Sequence, residues 1–241
     1  MIAVGLFVTA FESPKSLAYA GTTSPGLRIV LLATAVGITL TLLIQSPWGK
    51  RSGAHMNPAI TVAFFRLRKM HRWDALFYIL AQTIGGILGI SVVACLVGSP
   101  FTDPPVRYAV TVPGTAGAIV AFMAEILISF ALMSAILVFT ASTGLKRFTG
   151  IVVGCLVAFL IVIEAPLSGA SMNPARSLAS AVAGMMWQHL WIYLSGPILG
   201  MLMAAEIFNR RRRQNLSGCA KLLHPNNVRC IHCGYCPRNI L

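Results

Sequence analysis

Asn57 and Asn173 each stand directly before a Pro-Ala pair, and each sits in a repeated stretch of eight residues. The first copy reads Ser52-Gly53-Ala54-His55-Met56-Asn57-Pro58-Ala59. The second, half a chain later, reads Ser168-Gly169-Ala170-Ser171-Met172-Asn173-Pro174-Ala175, and the two differ only at His55 and Ser171. An Asn amide carries two donor hydrogens and an acceptor oxygen. The oxygen can cap a helix that opens on Pro58 or Pro174, where the missing N–H of proline costs nothing. The donors that remain can hold the oxygen of a passing molecule, which is chemistry of selection rather than of bond making. Arg176 follows the second copy and adds a permanently charged guanidinium.

A second group of reactive side chains lies near the C-terminus. Cys230-x-x-Cys233-x-x-Cys236, with Cys219 upstream, has the spacing of thiolate metal ligands and is a candidate site for structural zinc. The run overlaps an iron–sulfur spacing but lacks that pattern's own fourth cysteine. No other cofactor is expected. The chain shows no Ser/His/Asp arrangement, no paired carboxylates and no phosphate loop, so no enzyme activity is expected.

The elements that must position these residues are membrane helices. Apolar residues make up 56% of the chain and charged residues 10%, a balance that excludes an ordinary soluble domain. The net charge of +13 is carried by short basic clusters between apolar runs, the pattern of membrane loops rather than of a nucleic-acid surface. Spans are predicted at about Leu27 to Gln45, Ala75 to Val97, Ala116 to Phe139, Phe148 to Ile163 and Leu190 to Phe208. Gly85-x-x-x-Gly89, Gly150-x-x-x-Gly154 and Gly196-x-x-x-Gly200 are expected to let helices pack closely. Ile2 to Phe11 is apolar too, but ten helical residues reach only about 15 Å. It lacks the basic start and cleavage pattern of a signal peptide and reads as the end of a first span whose beginning is missing.

The helices opened by Asn57 and Asn173 have only two or three turns before charge or glycine ends them, too short to cross a bilayer that needs roughly 20 residues. They are predicted to be re-entrant. Non-helical backbone at membrane depth is tolerated where it lines a wet cavity, and paired broken helices in inverted repeats carry midplane sites. Lys50, Arg51, Arg66, Arg68, Lys69, Arg72, Lys146, Arg147, Arg210 to Arg213, Lys221, Arg229 and Arg238 fall on one side, against Lys15, Arg28 and Arg107 on the other. The richer side is expected to be cytoplasmic, with both termini on it.

With the doubled motif and Arg176 in view, residues 1–208 resemble the aquaporin family, the major intrinsic proteins. The resemblance implies an all-α membrane protein: an aquaporin-like bundle of six transmembrane helices, the first truncated, with two re-entrant half-helices in an inverted repeat. Repeat one would cover 1–98, a loop 99–115 and repeat two 116–208, followed by a basic, Cys-rich cytoplasmic tail at 209–241. It implies a homotetramer in the cell membrane, in contact with the lipid bilayer and with no nucleic-acid partner. Each subunit would form a passive channel for water or small neutral solutes. Asn57, Pro58, Ala59, Asn173, Pro174 and Ala175 would form the midplane barrier to ions and protons.

By the same resemblance, Arg176 belongs to an outer constriction whose other positions, counted without gaps, are Gly37, Ile161 and Ala170. Gly53, Ala54 and His55 would offer a ladder of backbone carbonyls. Glu125 matches a buried structural glutamate, and Glu164 is expected to anchor the loop before Asn173. Strict water channels narrow the constriction with an aromatic ring and a histidine. Gly, Ile and Ala leave it wider, which would admit hydrogen peroxide, ammonia, urea or glycerol. Ser177, Ala181 and Tyr193 side with water channels and Leu194 with glycerol channels, so no single solute is implied. Two other readings stay open: a non-conducting or misassembled protein owing to the short first helix, and a coupled secondary transporter. The transporter would need ionisable groups deep in the spans, and only Glu125 and Glu206 offer themselves.

Overall fold

Small polar residues and prolines start the helices that the apolar runs continue. Ser24 accepts from the Leu27 N–H ahead of Pro25, and Ser46 from the Gly49 N–H ahead of Pro47. The computed structural model describes residues 1–142, 144–211, 219–224, 230, 232 and 233. In chain order the α-helices are α1 (Ile2–Glu12), α2 (Leu17–Ala20), α3 (Pro25–Gln45), α4 (Pro47–Ser52), α5 (Pro58–Arg66), α6 (Arg72–Val97), α7 (Ser99–Thr102), α8 (Ala118–Ala141), α9 (Thr149–Ser168), α10 (Pro174–Gly184) and α11 (Leu190–Arg211). No strand occurs among the described residues.

Five helices, α3, α6, α8, α9 with the turn before it, and α11, are long and apolar enough to cross a membrane, and α1 is a shorter apolar helix. Their ends overrun the apolar runs because caps, not hydropathy, set them. His71 caps α6 through the Trp73 N–H, and Pro166 lies inside the last turn of α9. Large apolar side chains face outward along the spans, with Leu96 79%, Ile119 78% and Leu42 64% exposed. Such a surface is stable against hydrocarbon rather than water.

The spans pair as α8 with α11, α3 with α9 and α1 with α6. Each half-helix lies on the last span of the opposite half, α5 against α11 and α10 against α6. That exchange interlocks the two repeats. Close helix approach depends on glycine. A Cβ on Gly37 would stand 2.5 Å from the Gly154 carbonyl oxygen, and one on Gly196 3.0 Å from Glu125 Cβ. The expected pair at Gly85 and Gly89 is shifted. Gly85 faces open space, whereas a Cβ on Gly86 would lie 3.2 Å from the Ala175 carbonyl oxygen. Gly86 is therefore the residue that admits α10.

Candidate functional site

The two half-helices meet at their N-terminal tips. Asn57 caps α5 by accepting from the Ala59 N–H at 2.9 Å, and Asn173 caps α10 by accepting from Ala175 N–H at 3.1 Å and Arg176 N–H at 3.4 Å. Each amide nitrogen then crosses to the other loop. Asn57 Nδ2 donates to the Met172 carbonyl at 2.7 Å, and Asn173 Nδ2 to the Met56 carbonyl at 2.8 Å. Each Nδ2 has two hydrogens, so one per Asn stays available to a third partner. Both N-terminal dipole ends also point into this place and make it electropositive.

Opposite walls hold the two loops by related means. Gly53 and Gly169 take φ +89° and +83°, and Ala54 and Ala170 follow at +58° and +48°. A positive φ costs an alanine energy, so the surroundings must enforce it. In the second loop Glu125 does this. Its Oε1 accepts from Ser168 Oγ and the Ser171 N–H, both at 2.7 Å, and its Oε2 from the Met172 N–H at 2.8 Å. Tyr193 donates to the Ser168 carbonyl at 2.8 Å. In the first loop Tyr78 donates to the Ser52 carbonyl at 2.6 Å, and the Gln82 amide donates to the His55 carbonyl. Sequence reading singled out neither Tyr78 nor Gln82. Ser52 and Ser168 occupy matching places in the repeat, which is the signal that links Tyr78 to Tyr193.

Arg176 is half-buried, and its Nη1 is sequestered without a hydrogen-bond partner among the described residues. Ala170 is buried, and Ile161 packs at the edge of the central apolar cluster that contains Ala170, Met172 and Ala54. Gly37 lies against α9. Its missing side chain would point at α9, so this position serves the α3–α9 crossing, while the preceding Val36 belongs to the central cluster. Ser177 Oγ lies 2.6 Å from both Ser171 Oγ and Thr111 Oγ1. Glu164 is buried, and neither carboxylate oxygen has a hydrogen-bond partner among the described residues. Glu206 is bound to Arg66 at 2.7 Å and Arg210 at 3.1 Å.

On the face where the first loop opens, the tail is present. His55 Nε2 donates to the Ala220 carbonyl at 2.5 Å, and the Gly53 carbonyl accepts the Leu222 N–H at 3.2 Å. The Ala54 carbonyl accepts from Met56 N–H at 2.9 Å. Cys219, Cys230 and Cys233 come together with His224, and Cys236 lies outside the described residues.

A family profile described as major intrinsic protein matches residues 1–208. The chain belongs to that family. The probable NIP-type aquaporin of Nicotiana alata is 35% identical over 86% of this chain and 74% of its own length. Nodulin-26 of Glycine max is 34% identical over the same shares, 86% and 74%. Glycerol uptake facilitator protein-like 6 of Lactiplantibacillus plantarum is 33% identical over 73% of this chain and 82% of its own. The crystal structure of the aquaglyceroporin from Plasmodium falciparum superposes with a TM-score of 0.66 at 17% identity, covering 87% of this chain and 91% of that one. This major intrinsic protein therefore has the aquaporin fold. It is a multi-pass membrane protein and a channel for water or small neutral solutes.

Proposed function

We propose that each subunit forms a passive pore that passes water together with neutral solutes somewhat larger than water, and blocks ions and protons. The reciprocal bonds from Asn57 to Met172 and from Asn173 to Met56 carry this reading. They fix two amides side by side, each with a hydrogen left for the permeant. The convergent helix ends oppose a cation there, while an uncharged molecule exchanges one set of hydrogen bonds for another. The unpartnered Arg176 Nη1 supplies a further donor and a second repulsive charge.

Width follows from the side chains around Arg176. Gly37, Ile161 and Ala170, the positions expected beside Arg176, are small or aliphatic and lack the bulk of an aromatic ring. Urea, ammonia, hydrogen peroxide and glycerol are the solutes proposed. The relative named as a glycerol uptake facilitator supports the largest of them. The sided distribution of Lys and Arg supports cytoplasmic termini and a place in the cell membrane, and the family supports a homotetramer. Against ion coupling, Glu125 is committed to its loop and Glu206 to two arginines.

Vesicles containing the full chain test the reading by stopped-flow light scattering, first with water and then with each solute. Osmotic water flux above that of protein-free vesicles, faster solute-driven reswelling and no ion conductance are expected. Flux equal to that of empty vesicles both with and without residues 212–241, or a sustained cation current, would refute it.

A further inference from the structure

The tail does not hang clear of the channel. Ala220 and Leu222 are 1% and 2% exposed and join the central apolar cluster that includes Ala54 and Ile60. Lys221 between them is also buried, its side chain lying over Gly53. These three residues therefore fill the mouth beneath the first loop. They use up the Gly53 carbonyl and the His55 ring, groups that a molecule entering from this side would otherwise meet. From the wall, Tyr78 donates to the Ser52 carbonyl and accepts from His232 Nε2 at 3.3 Å, tying a second part of the tail to the same rim.

The residues flanking this plug are metal-binding types. Cys219 precedes Ala220, and His224 follows two positions after Leu222. Cys230 and Cys233 complete the group, and the four ligand atoms lie within 4.8 Å of one another. Cys219 Sγ is 3.3 Å from Cys230 Sγ, and Cys233 Sγ is 3.3 Å from His224 Nε2. Tetrahedral zinc with Zn–S bonds near 2.3 Å places its sulfurs about 3.8 Å apart. To hold such an ion the Cys219–Cys230 pair opens by about half an ångström, and the widest pairs, within 4.8 Å, close by about 1 Å. Three thiolates and an imidazole form a closed, four-ligand set of the structural kind, with no position left for water.

We propose that Cys219, His224, Cys230 and Cys233 bind one zinc ion, and that this ion latches residues 220–222 as a plug in the basic-side mouth of the pore. His224 is the fourth ligand among the described residues, and Cys236 lies outside them. The ion closes the chain between positions 219 and 233 into a loop, so its binding free energy adds to the contacts that hold residues 220–222 at the mouth. Loss of the metal frees the loop, and with it Ala220 and Leu222 from the first half-helix loop. The channel reading above underlies the flux part of this inference, but the metal site stands on its own geometry.

The full chain, purified under reducing conditions, is the material for the test. It is expected to hold one zinc per chain and, after exchange with cobalt, to show thiolate charge-transfer and tetrahedral d–d bands. Cys219→Ser combined with Cys230→Ser is expected to abolish both, and His224→Cys to keep them. Stripping zinc with a chelator, or making the double substitution, should speed hydrogen exchange at the Leu222 N–H and raise water permeability of vesicles several-fold. Reduced protein without metal, a Cys219–Cys230 disulfide in its place, or unchanged Leu222 exchange after metal removal overturns the proposal. Water flux that rises on removing residues 212–241 but not on removing zinc also overturns it. A chain that stays impermeable without residues 212–241 refutes the channel reading instead, and zinc content with Leu222 exchange then decides the latch.

Discussion

Glu125 Oε2 accepts the Met172 N–H at 2.8 Å, and the Met172 carbonyl in turn accepts from Asn57 at 2.7 Å. A carboxylate in the second repeat thus sets the position of an amide in the first. Hydrogen bonds to a charged acceptor are worth about 1.5–3 kcal/mol each, and Glu125 accepts three. Glu125→Ala should therefore cost on the order of 3 kcal/mol, since such bonds are not additive and the loop can relax in part. Glu125→Gln should cost less, because one oxygen remains while its new NH2 group faces a donor. Thermal unfolding in detergent should rank wild type above Gln and Gln above Ala. A ranking with Ala equal to wild type would show that the loop is held by other means.

The α3–α9 crossing makes a contrast between two glycines. A Cβ on Gly37 meets the Gly154 carbonyl oxygen at 2.5 Å, a backbone atom that no rotamer change can move. Gly37→Ala should separate the helices and destabilise the protein by about 1–3 kcal/mol, the usual range for overpacking. Gly85→Ala enters open space on α6 and gains helix propensity, up to about 1 kcal/mol. The same unfolding assay should move in opposite directions for the two variants.

These glycines also mark where the sequence was legible and where it was not. The repeated Asn-Pro-Ala stretch announced the half-helices and the fold, because capping chemistry and helix length are local. Glu125 was legible only through the family resemblance. Spacing cannot tell which of Gly85 and Gly86 faces a partner, because that depends on the rotation of α6 about its axis. Nor can spacing tell that Gly37 meets the Gly154 carbonyl across the α3–α9 crossing, because that depends on how two distant helices pack. The tail cysteines stood out, but contact of Ala220 and Leu222 with Gly53 and His55 joins segments far apart in sequence, and nothing local encodes it. His224, by contrast, joins the cluster across only nine residues from Cys233.

Ile161→His tests the wider constriction. Ile161, on α9, packs against the central apolar cluster that contains Ala170 and Met172. An imidazole there narrows the lane and adds donors and acceptors that suit water. Glycerol and urea fluxes should fall by a larger factor than water flux in the same vesicles. Equal loss of all three would mean that Ile161 supports the wall without lining the lane.

Asn173→Asp tests the barrier at the midplane. The shapes match, and an Asp oxygen can still accept from the Ala175 N–H, so α10 keeps its cap. The other oxygen, however, now faces the Met56 carbonyl with no hydrogen to donate, and the bond at 2.8 Å becomes a repulsion between acceptors. A full negative charge also enters the place where two helix ends oppose cations. A unit charge 4 Å from another is worth about 4 kcal/mol at an effective dielectric constant of 20, enough to cancel much of an electrostatic barrier built from half-charges. Water permeability should fall because the tips no longer hold each other, and a cation current absent from wild type should appear in planar bilayers. Asn173→Ala, which loses the same bond without adding charge, should lower water flux and carry no such current. Water flux at the wild-type level with no cation current in Asn173→Asp would remove the two asparagines from the selective part of the pore.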